Sequence, residues 1–447
     1  MLKKVLIANR SEIALRVIRA CQELEISTVA VYSDVDSESL QVRHADEPVH
    51  IGPPPAAKSY LNVDALIDAA KETGAEAVHP GYGFLAESAR FAAACRDAGI
   101  TFIGPSAEAI EKLGDKSAAR RLAREADVPI VPGSDNTGSA EEAVATAEEI
   151  GYPVMIKAAA GGGGRGIRVA ANEEELGKAV RVAKQEAQAA FGDGTLYLEK
   201  FLVGPRHVEV QVVGDHDGNV VHLYERECSM QRRRQKVLEE APSPGISPET
   251  REKMCEAAVR LTRQAGYTSA GTVEFLVDKD QSFYFIEMNT RIQVEHPVTE
   301  TLTGVDLVKE QIRVASGEPL SVAQEDVLFD GHAIEFRINA EDPEQDFLPS
   351  PGEITILDVP GGPGVRVDSA IYQGYRIPPF YDSLIGKLIV WGLDRKEAIN
   401  RARRALREYR IEGIKTTIPF HIRLLEEKAF RSGEYHTGYL EELLSEE

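Results

Sequence analysis

Over its first hundred residues the sequence alternates short apolar runs with longer amphipathic ones, and this rhythm constrains the fold more than any other feature. KKVLIA, STVAVYS, AEAVHP and ITFIGP have strand length and strand composition. Between them, SEIALRVIRACQEL, VDALIDAAKETG and SARFAAACRDAG space their apolar residues as a helix does. Strand–helix–strand repetition predicts a parallel sheet with right-handed crossovers. After the first strand the chain offers Asn9, Arg10 and Ser11 in place of a glycine fingerprint. The unit is therefore expected to be Rossmann-like in fold without dinucleotide chemistry.

Downstream the pattern changes. Residues 107–128 predict one helix and VPIVPG a connector. A small α+β unit is expected to about residue 203, then a mainly β stretch with helices to about 330. Beyond Asp330, GHAIEFRINAEDPEQDF, LPSPGE and PGGPGVRVD predict antiparallel strands and loops, closed by the helix DRKEAINRARRALREY and a helical hairpin. A length of 447 residues gives room for two or three domains. A net charge of -21 argues against a general nucleic-acid or membrane-surface binder. No apolar run approaches the roughly 20 residues of a membrane span, and no signal peptide precedes MLKKVLIANR. Cys21, Cys95, Cys228 and Cys255 lack C-x-x-C spacing, which predicts reduced thiols in a cytoplasmic protein and no zinc site.

Chemistry concentrates in FYFIEMNTRIQVEHPVTE, residues 283–300. Glu287, Asn289, Arg291, Gln293 and Glu295 occupy every second position, so an extended strand would put all five on one face. Upstream, AGTVEFLV reads as a strand and DKDQS as a turn. A hairpin centred between Asp280 and Gln281 places Glu274 opposite Glu287, with β-carbons about 5 Å apart. Facing carboxylates repel unless a hard cation bridges them, and such oxygen donors suit Mg²⁺ or Mn²⁺.

Two further segments point to anions. YPVMIKAAAGGGGRGIRVA holds Gly161, Gly163 and Gly166 in G-x-G-x-x-G spacing, but GIRVA reads as a strand where a dinucleotide fold needs a helix. A glycine-tipped hairpin brings backbone N–H groups onto nucleotide phosphates and acts as a lid, with Lys157 adding charge. In YLEKFL, Glu199 and Lys200 offer adenine an acceptor and main-chain groups. MQRRRQK sets Arg232, Arg233, Arg234 and Lys236 into an acidic chain, which fits a local anion site. Taken singly, these segments equally suit a plain surface turn, a strand with charged ends and a solvated face.

In order and spacing, VLIANRSEIALR, HPGYGFLAES, KAAAGGGGRG, RHVEVQV, ERECSMQRRRQK, EMNTRIQVEHPVTE, EFRINAEDP and FLPSPG resemble the biotin carboxylases, ATP-grasp components of biotin-dependent carboxylases. The resemblance runs from Lys3 to about Leu444. It implies a Rossmann-like N-terminal domain at 1–112, an ATP-grasp domain at 113–330 with a glycine-rich lid at 131–203, and a mainly β C-terminal domain at 331–447. Carried over by position, it implies ATP contacts at Lys116, Lys157, Gly161, Gly162, Gly163, Gly164, Glu199, Lys200, Leu202, His207 and Gln231, with Glu274 and Glu287 beside them. Glu274, Glu287 and Asn289 become ligands for two Mg²⁺ or Mn²⁺ ions. Lys236, Arg291, Gln293, the Val294 amide and Glu295 become a bicarbonate pocket, and Tyr82 and Arg337 the biotin contacts. Ser11 and Arg234 depart from the glycine and histidine common in that family.

The implied reaction phosphorylates bicarbonate with ATP to carboxyphosphate, then carboxylates a ureido nitrogen of biotin. Glu295, held by Arg291, is expected to act as the base, Lys236 to bind the anion, and Arg337 to stabilise an enolate-like oxygen. No lysine sits in an A-M-K-M-type motif, so a separate biotin carboxyl carrier protein and a carboxyltransferase are the expected partners, and a homodimer is what the resemblance implies. The final acceptor, acetyl-CoA, propionyl-CoA or pyruvate, stays open. Two other readings share parts of the pattern: a different ATP-grasp ligase without need of RIQVEH or Arg337, and a regulatory protein that binds nucleotide without turnover.

Overall fold

The computed structural model describes residues 1–134, 139–158, 168–191 and 194–445. The first hundred residues form a five-stranded sheet in the order Glu47–Gly52, Ser27–Ser33, Lys4–Ile7, Ala77–His79, Thr101–Phe102, and every pairing is parallel as expected. Its outer strand Glu47–Gly52 was not legible, because EPVHIG contains Pro48 and leaves alternate side chains in solvent. Local chemistry sets the helix limits. Asn62 and Ser88 accept backbone N–H bonds at the starts of Val63–Thr73 and Ala89–Asp97, and Gly74 ends the former in the left-handed region.

The single helix expected over 107–128 is two helices, Ala107–Gly114 and Lys116–Glu125. Asp115 breaks them, since its side chain accepts from the Ala118 N–H and caps the second. That break turns Lys116 toward the large cavity described below. The small α+β unit is a three-stranded antiparallel sheet, Arg168–Ala170, Val154–Ala158 and Leu196–Lys200. Helices Ala140–Ile150 and Glu173–Phe191 bury Ala143, Ala147, Leu176 and Val180 against it. Gly161, Gly162, Gly163, Gly164 and Gly166 lie outside the described residues.

An eight-stranded antiparallel sheet dominates the remainder. Its order is Phe283–Asn289, Ser269–Val277, Arg206–Gly214, Val220–Arg232, Gln235–Ala241, His332–Asn339, Leu384–Gly392, Val365–Ser369. The pairing of Gln235–Ala241 with His332–Asn339 carries this sheet across residue 330 without a gap. Helix Arg395–Glu408 covers one end of it, and Pro248–Gln264 packs nearer the other. The helix Ser11–Glu23 buries Ile13, Val17 and Ile18 against Leu223, Ile292, Leu307 and Ile312, which fixes the parallel sheet to the large one. The chain closes with three short helices, Ile418–Leu424, Lys428–Ser432 and Tyr439–Ser445, where a single helical hairpin was expected. Gly433, in the left-handed region, separates the last two.

Candidate functional site

The hairpin Ser269–Val277/Phe283–Asn289 does place Glu274 opposite Glu287, although not by the expected route. Near the turn the register is that of a hairpin centred on Asp280, pairing Phe275 with Phe285. A one-residue bulge at Ile286 then shifts the register so that the two glutamates meet. Glu274 also faces Glu209 on the next strand, so Glu209, Glu274 and Glu287 stand abreast on three neighbouring strands.

Their charges are balanced unequally. Glu209 Oε1 accepts from the buried Arg226 at 2.6 Å, and its Oε2 lies 2.6 Å from Lys236 Nζ. Burial opposes the charge of Glu274, but Lys236 and His207 outweigh it and hold the carboxyl well below the usual range. Lys236 Nζ is 3.2 Å and His207 Nε2 3.0 Å from Glu274, and the amides of Asn289 and Gln293 donate to it at 2.8 and 3.0 Å. Glu287 is different: burial and then Glu274 push its carboxyl up, with only partial relief from Lys116. The row is short of positive charge at its outer edge. Oxygen donors short of positive charge fit a hard divalent cation there, between Glu274 and Glu287 with Asn289 alongside.

After Asn289 the chain leaves the sheet, so the extended strand expected through Glu295 is corrected. The last pair is Thr272 with Asn289, and Pro297 in the first turn starts the helix His296–Thr303. Glu295 is the residue before that helix. Its expected partner is also corrected: Arg291 donates to Glu87 at 3.0 Å and to Asn289 at 3.1 Å. Glu295 is held instead by Lys236 at 2.6 Å and Arg337 at 3.0 Å. The turn after Asn289 aims Arg291 at Glu87, whose other carboxylate oxygen caps the Thr290 N–H at 3.1 Å. Burial opposes the charge on Glu295, yet Lys236, Arg337 and Arg226 together keep it well below the usual carboxylate range.

Arg337 comes from His332–Asn339 and bridges Glu295 to Glu239, its Nε 2.7 Å from Glu239 Oε1. Burial pushes Glu239 up to about 7, with Arg337 as the main opposing influence. Lys236 faces Gln231 across the hairpin Val220–Arg232/Gln235–Ala241, whose two turn residues Arg233 and Arg234 both have positive φ. Of the basic cluster, Arg232 and Arg233 pair with Asp346, and Arg232, Arg234 and Lys236 line the cavity.

That cavity encloses about 1100 Å³. It gathers Tyr82, Lys116, His207, Gln231, Lys236, Glu274, Glu287, Asn289, Arg291, Gln293, Val294 and Arg337 along its walls, with Ser11 and Arg234 among its other lining residues. Glu295 stands just behind, bonded to two of them. Four expected ATP contacts are elsewhere: Lys157, Glu199, Lys200 and Leu202 belong to the three-stranded sheet or the chain just after it. There Lys157 and Arg120 both bond Glu199, and the Lys200 ammonium donates to the carbonyls of Gly151 and Tyr152 at 2.9 and 3.0 Å. The Lys200 N–H is taken by the Pro132 carbonyl at 2.8 Å.

Sequence reasoning missed Glu209, Glu239, Glu87 and Glu12. For Glu209 a signal existed: His207, Glu209 and Gln211 alternate with Val208, Val210 and Val212, the same pattern of polar residues on one face. Arg10, another cavity residue, pairs with the buried Asp36 at 2.7 Å. All four cysteines are buried free thiols, and among the described residues no helix is long and apolar enough to cross a membrane.

Comparison with known proteins follows this layout. Residues 1–110 match the family model "Biotin carboxylase, N-terminal domain", 115–323 "Carbamoyl-phosphate synthase L chain, ATP binding domain", and 335–442 "Biotin carboxylase C-terminal domain". Biotin carboxylase 1 of Bacillus subtilis is 59% identical over 99% of this chain and 98% of its own length. A pyruvate carboxylase subunit of Methanothermobacter thermautotrophicus is 57% identical over 99% and 90%. The biotin carboxylase domain dimer of Hydrogenobacter thermophilus 2-oxoglutarate carboxylase, solved with MgADP, ADP and bicarbonate, superposes with a TM-score of 0.89. It is 54% identical, over 99% of this chain and 98% of that one.

Proposed function

The chain belongs to the biotin carboxylase family, and from that premise we propose how its residues divide the work of carboxylating biotin. It is a ligase that uses ATP, with Mg²⁺, and bicarbonate to make carboxybiotin, ADP and phosphate. Glu274, Glu287 and Asn289 would hold the metal, which supplies neutralising charge at the ATP phosphates. Lys116, His207 and Gln231 meet the nucleotide on the cavity side. Lys157, Glu199, Lys200 and Leu202 meet it from the small sheet or the chain just after it, and the family resemblance adds the glycines Gly161, Gly162, Gly163 and Gly164.

Bicarbonate binds among Lys236, Arg291, Gln293 and the Val294 amide, within reach of Glu295. Without substrate, Lys236 and Arg337 suppress the basicity of Glu295. An incoming bicarbonate anion shares those two cations, so Glu295 regains basicity at the step that needs it and removes the bicarbonate proton. The bicarbonate oxygen then takes the γ-phosphoryl group of ATP and ADP leaves. The carboxyphosphate splits into CO₂ and phosphate, the phosphate takes the proton from the ureido nitrogen of biotin, and that nitrogen attacks CO₂ to give carboxybiotin. Arg337, fixed by Glu239, stabilises the enolate-like oxygen, and Tyr82, which lines the same cavity, contacts the biotin ring.

The observation that carries this reading is the suspension of Glu295 between Lys236 and Arg337, one cation from each half of the site. ADP release with Mg²⁺ and bicarbonate, with and without free biotin, tests it. Biotin-stimulated release is expected, and Glu295→Gln is expected to lower it about 10²- to 10⁴-fold. Near-normal turnover by Glu295→Gln sinks the assignment. A biotin carboxyl carrier protein, a carboxyltransferase, a homodimer and a cytoplasmic setting complete the proposal. They rest on the relatives, one of them a dimer and another a component of pyruvate carboxylase.

A further inference from the structure

One buried cation takes no part in the chemistry above. Lys387, on strand Leu384–Gly392, is completely inaccessible to solvent and directly opposite Arg337 on the neighbouring strand. Its ammonium donates to the Val294 carbonyl at 2.9 Å and lies 3.2 Å from Glu12 Oε1. The Tyr82 hydroxyl donates to the same carboxylate, and the Tyr82 ring centre is 5.9 Å from the ammonium. Burying an ammonium costs several kcal/mol, and an apolar side chain of the same length would fill the space without that penalty. Packing therefore does not explain a lysine here.

We propose that Lys387 is a positioning residue that sets the bicarbonate and biotin subsites in register with each other. The Val294 carbonyl belongs to the peptide that leads into Glu295, so holding it fixes where the Glu295 side chain departs toward Lys236 and Arg337. Holding Glu12 fixes the hydroxyl of the cavity-lining Tyr82. The three anchors come from the first helix, the segment before helix His296–Thr303, and the large sheet. Lys236 and Arg337 do not make this connection: their carboxylate partners are Glu209, Glu274, Glu295 and Glu239, all on or beside the large sheet. The inference rests on the assignment of Glu295 and Tyr82 to bicarbonate and biotin.

The test uses the full chain with Lys387→Met and Lys387→Arg, alongside Glu295→Gln and Tyr82→Phe. Because Lys387→Met strands a buried carboxylate, the double substitution Glu12→Gln/Lys387→Met is the variant to read if the single one does not fold. Michaelis constants for ATP, bicarbonate and biotin are measured together with carboxybiotin formed per ADP released. A misalignment of about an ångström costs up to ~10²-fold, so Lys387→Met is expected to lower kcat about 10-fold or more and raise the bicarbonate and biotin constants together. The ATP constant stays within about twofold, carboxybiotin per ADP falls, and Lys387→Arg recovers part of the loss. A merely structural lysine would lower the active fraction while leaving both constants and the product ratio unchanged, and that result in a folded variant overturns the proposal. If Glu295→Gln and Tyr82→Phe leave turnover and the Michaelis constants unchanged, the reading of the site has failed instead.

Discussion

The three-stranded and the eight-stranded antiparallel sheets hold charge in opposite ways. On the three-stranded sheet, Lys157 and Arg120 converge on one carboxylate, Glu199, and both cations keep part of their side chains in solvent. On the eight-stranded sheet, Lys236 is shared by three buried carboxylates, Glu209, Glu274 and Glu295, whose second partners are Arg226, His207 and Arg337. Water reaches both cations of the first arrangement, although Glu199 itself is buried. The second is a fixed field in which each cation is shared and no solvent substitutes for it. A side chain that must swing to meet a nucleotide belongs on the first kind of surface, and one that must stabilise developing charge belongs on the second.

The sharpest way to break this comparison is Lys236→Met. It leaves three buried carboxylates short of a cation, so a loss of about 3–5 kcal/mol in denaturant unfolding is expected, together with loss of turnover. A fully stable variant would mean that the field of the large sheet is not shared as described.

A pH titration of stability probes the large sheet more gently, at neighbouring residues. Glu240 is buried, and although burial opposes its charge, Arg395 and His332 hold its carboxyl at about 2. Its folded pKa lies below the unfolded value near 4.5. Its stabilisation, on the order of 3 kcal/mol, is therefore complete above that value and lost as pH falls toward 2. Glu239, on the opposite face of the same strand and pushed up to about 7, has the reverse sign. It favours the fold below pH 4.5 and loses that contribution as pH rises to 7. Glu240→Gln is expected to flatten the acid limb of the stability profile and Glu239→Gln the limb between 4.5 and 7.

The smallest effect on stability belongs to the other sheet. Lys157→Gln should change unfolding by no more than about 1 kcal/mol while raising the Michaelis constant for ATP about tenfold. A large stability loss there would erase the distinction between the two sheets.

Sequence periodicity made four of the five parallel strands legible, because they carry their own pattern and helices Val63–Thr73 and Ala89–Asp97 their own caps, while Glu47–Gly52 carries no such signal. Periodicity also paired Glu274 with Glu287, the right partners for a slightly wrong reason: the bulge at Ile286 cannot be read from local composition, since either strand of a hairpin can accept the extra residue. The two-residue alternation of Glu287 to Glu295 was real as a pattern and misleading as geometry. Glu287 and Asn289 reach the cavity from the strand, Arg291 and Gln293 from an irregular turn, and Glu295 stands behind it at a helix start. Partners distant in sequence were the least accessible. Nothing near Arg291 in the chain names Glu87, and nothing near Lys387 names Glu12.

The strand order of the large sheet also bears on how the site assembles. Asn289 reaches Glu274 across 15 positions of chain, a short loop that closes cheaply within one hairpin. Lys236 must find Glu295 across 59 positions, Lys387 finds Val294 across 93, and Arg337 finds Glu239 across 98. Contacts of such sequence separation form slowly. The facing acids can therefore be made early, and the cations that tame them arrive only as the rest of the sheet zips alongside. During that interval the nascent chain carries unbalanced negative charge at its future catalytic centre. Divalent cations supplied during refolding should speed the approach to native protein more than they stabilise the finished fold.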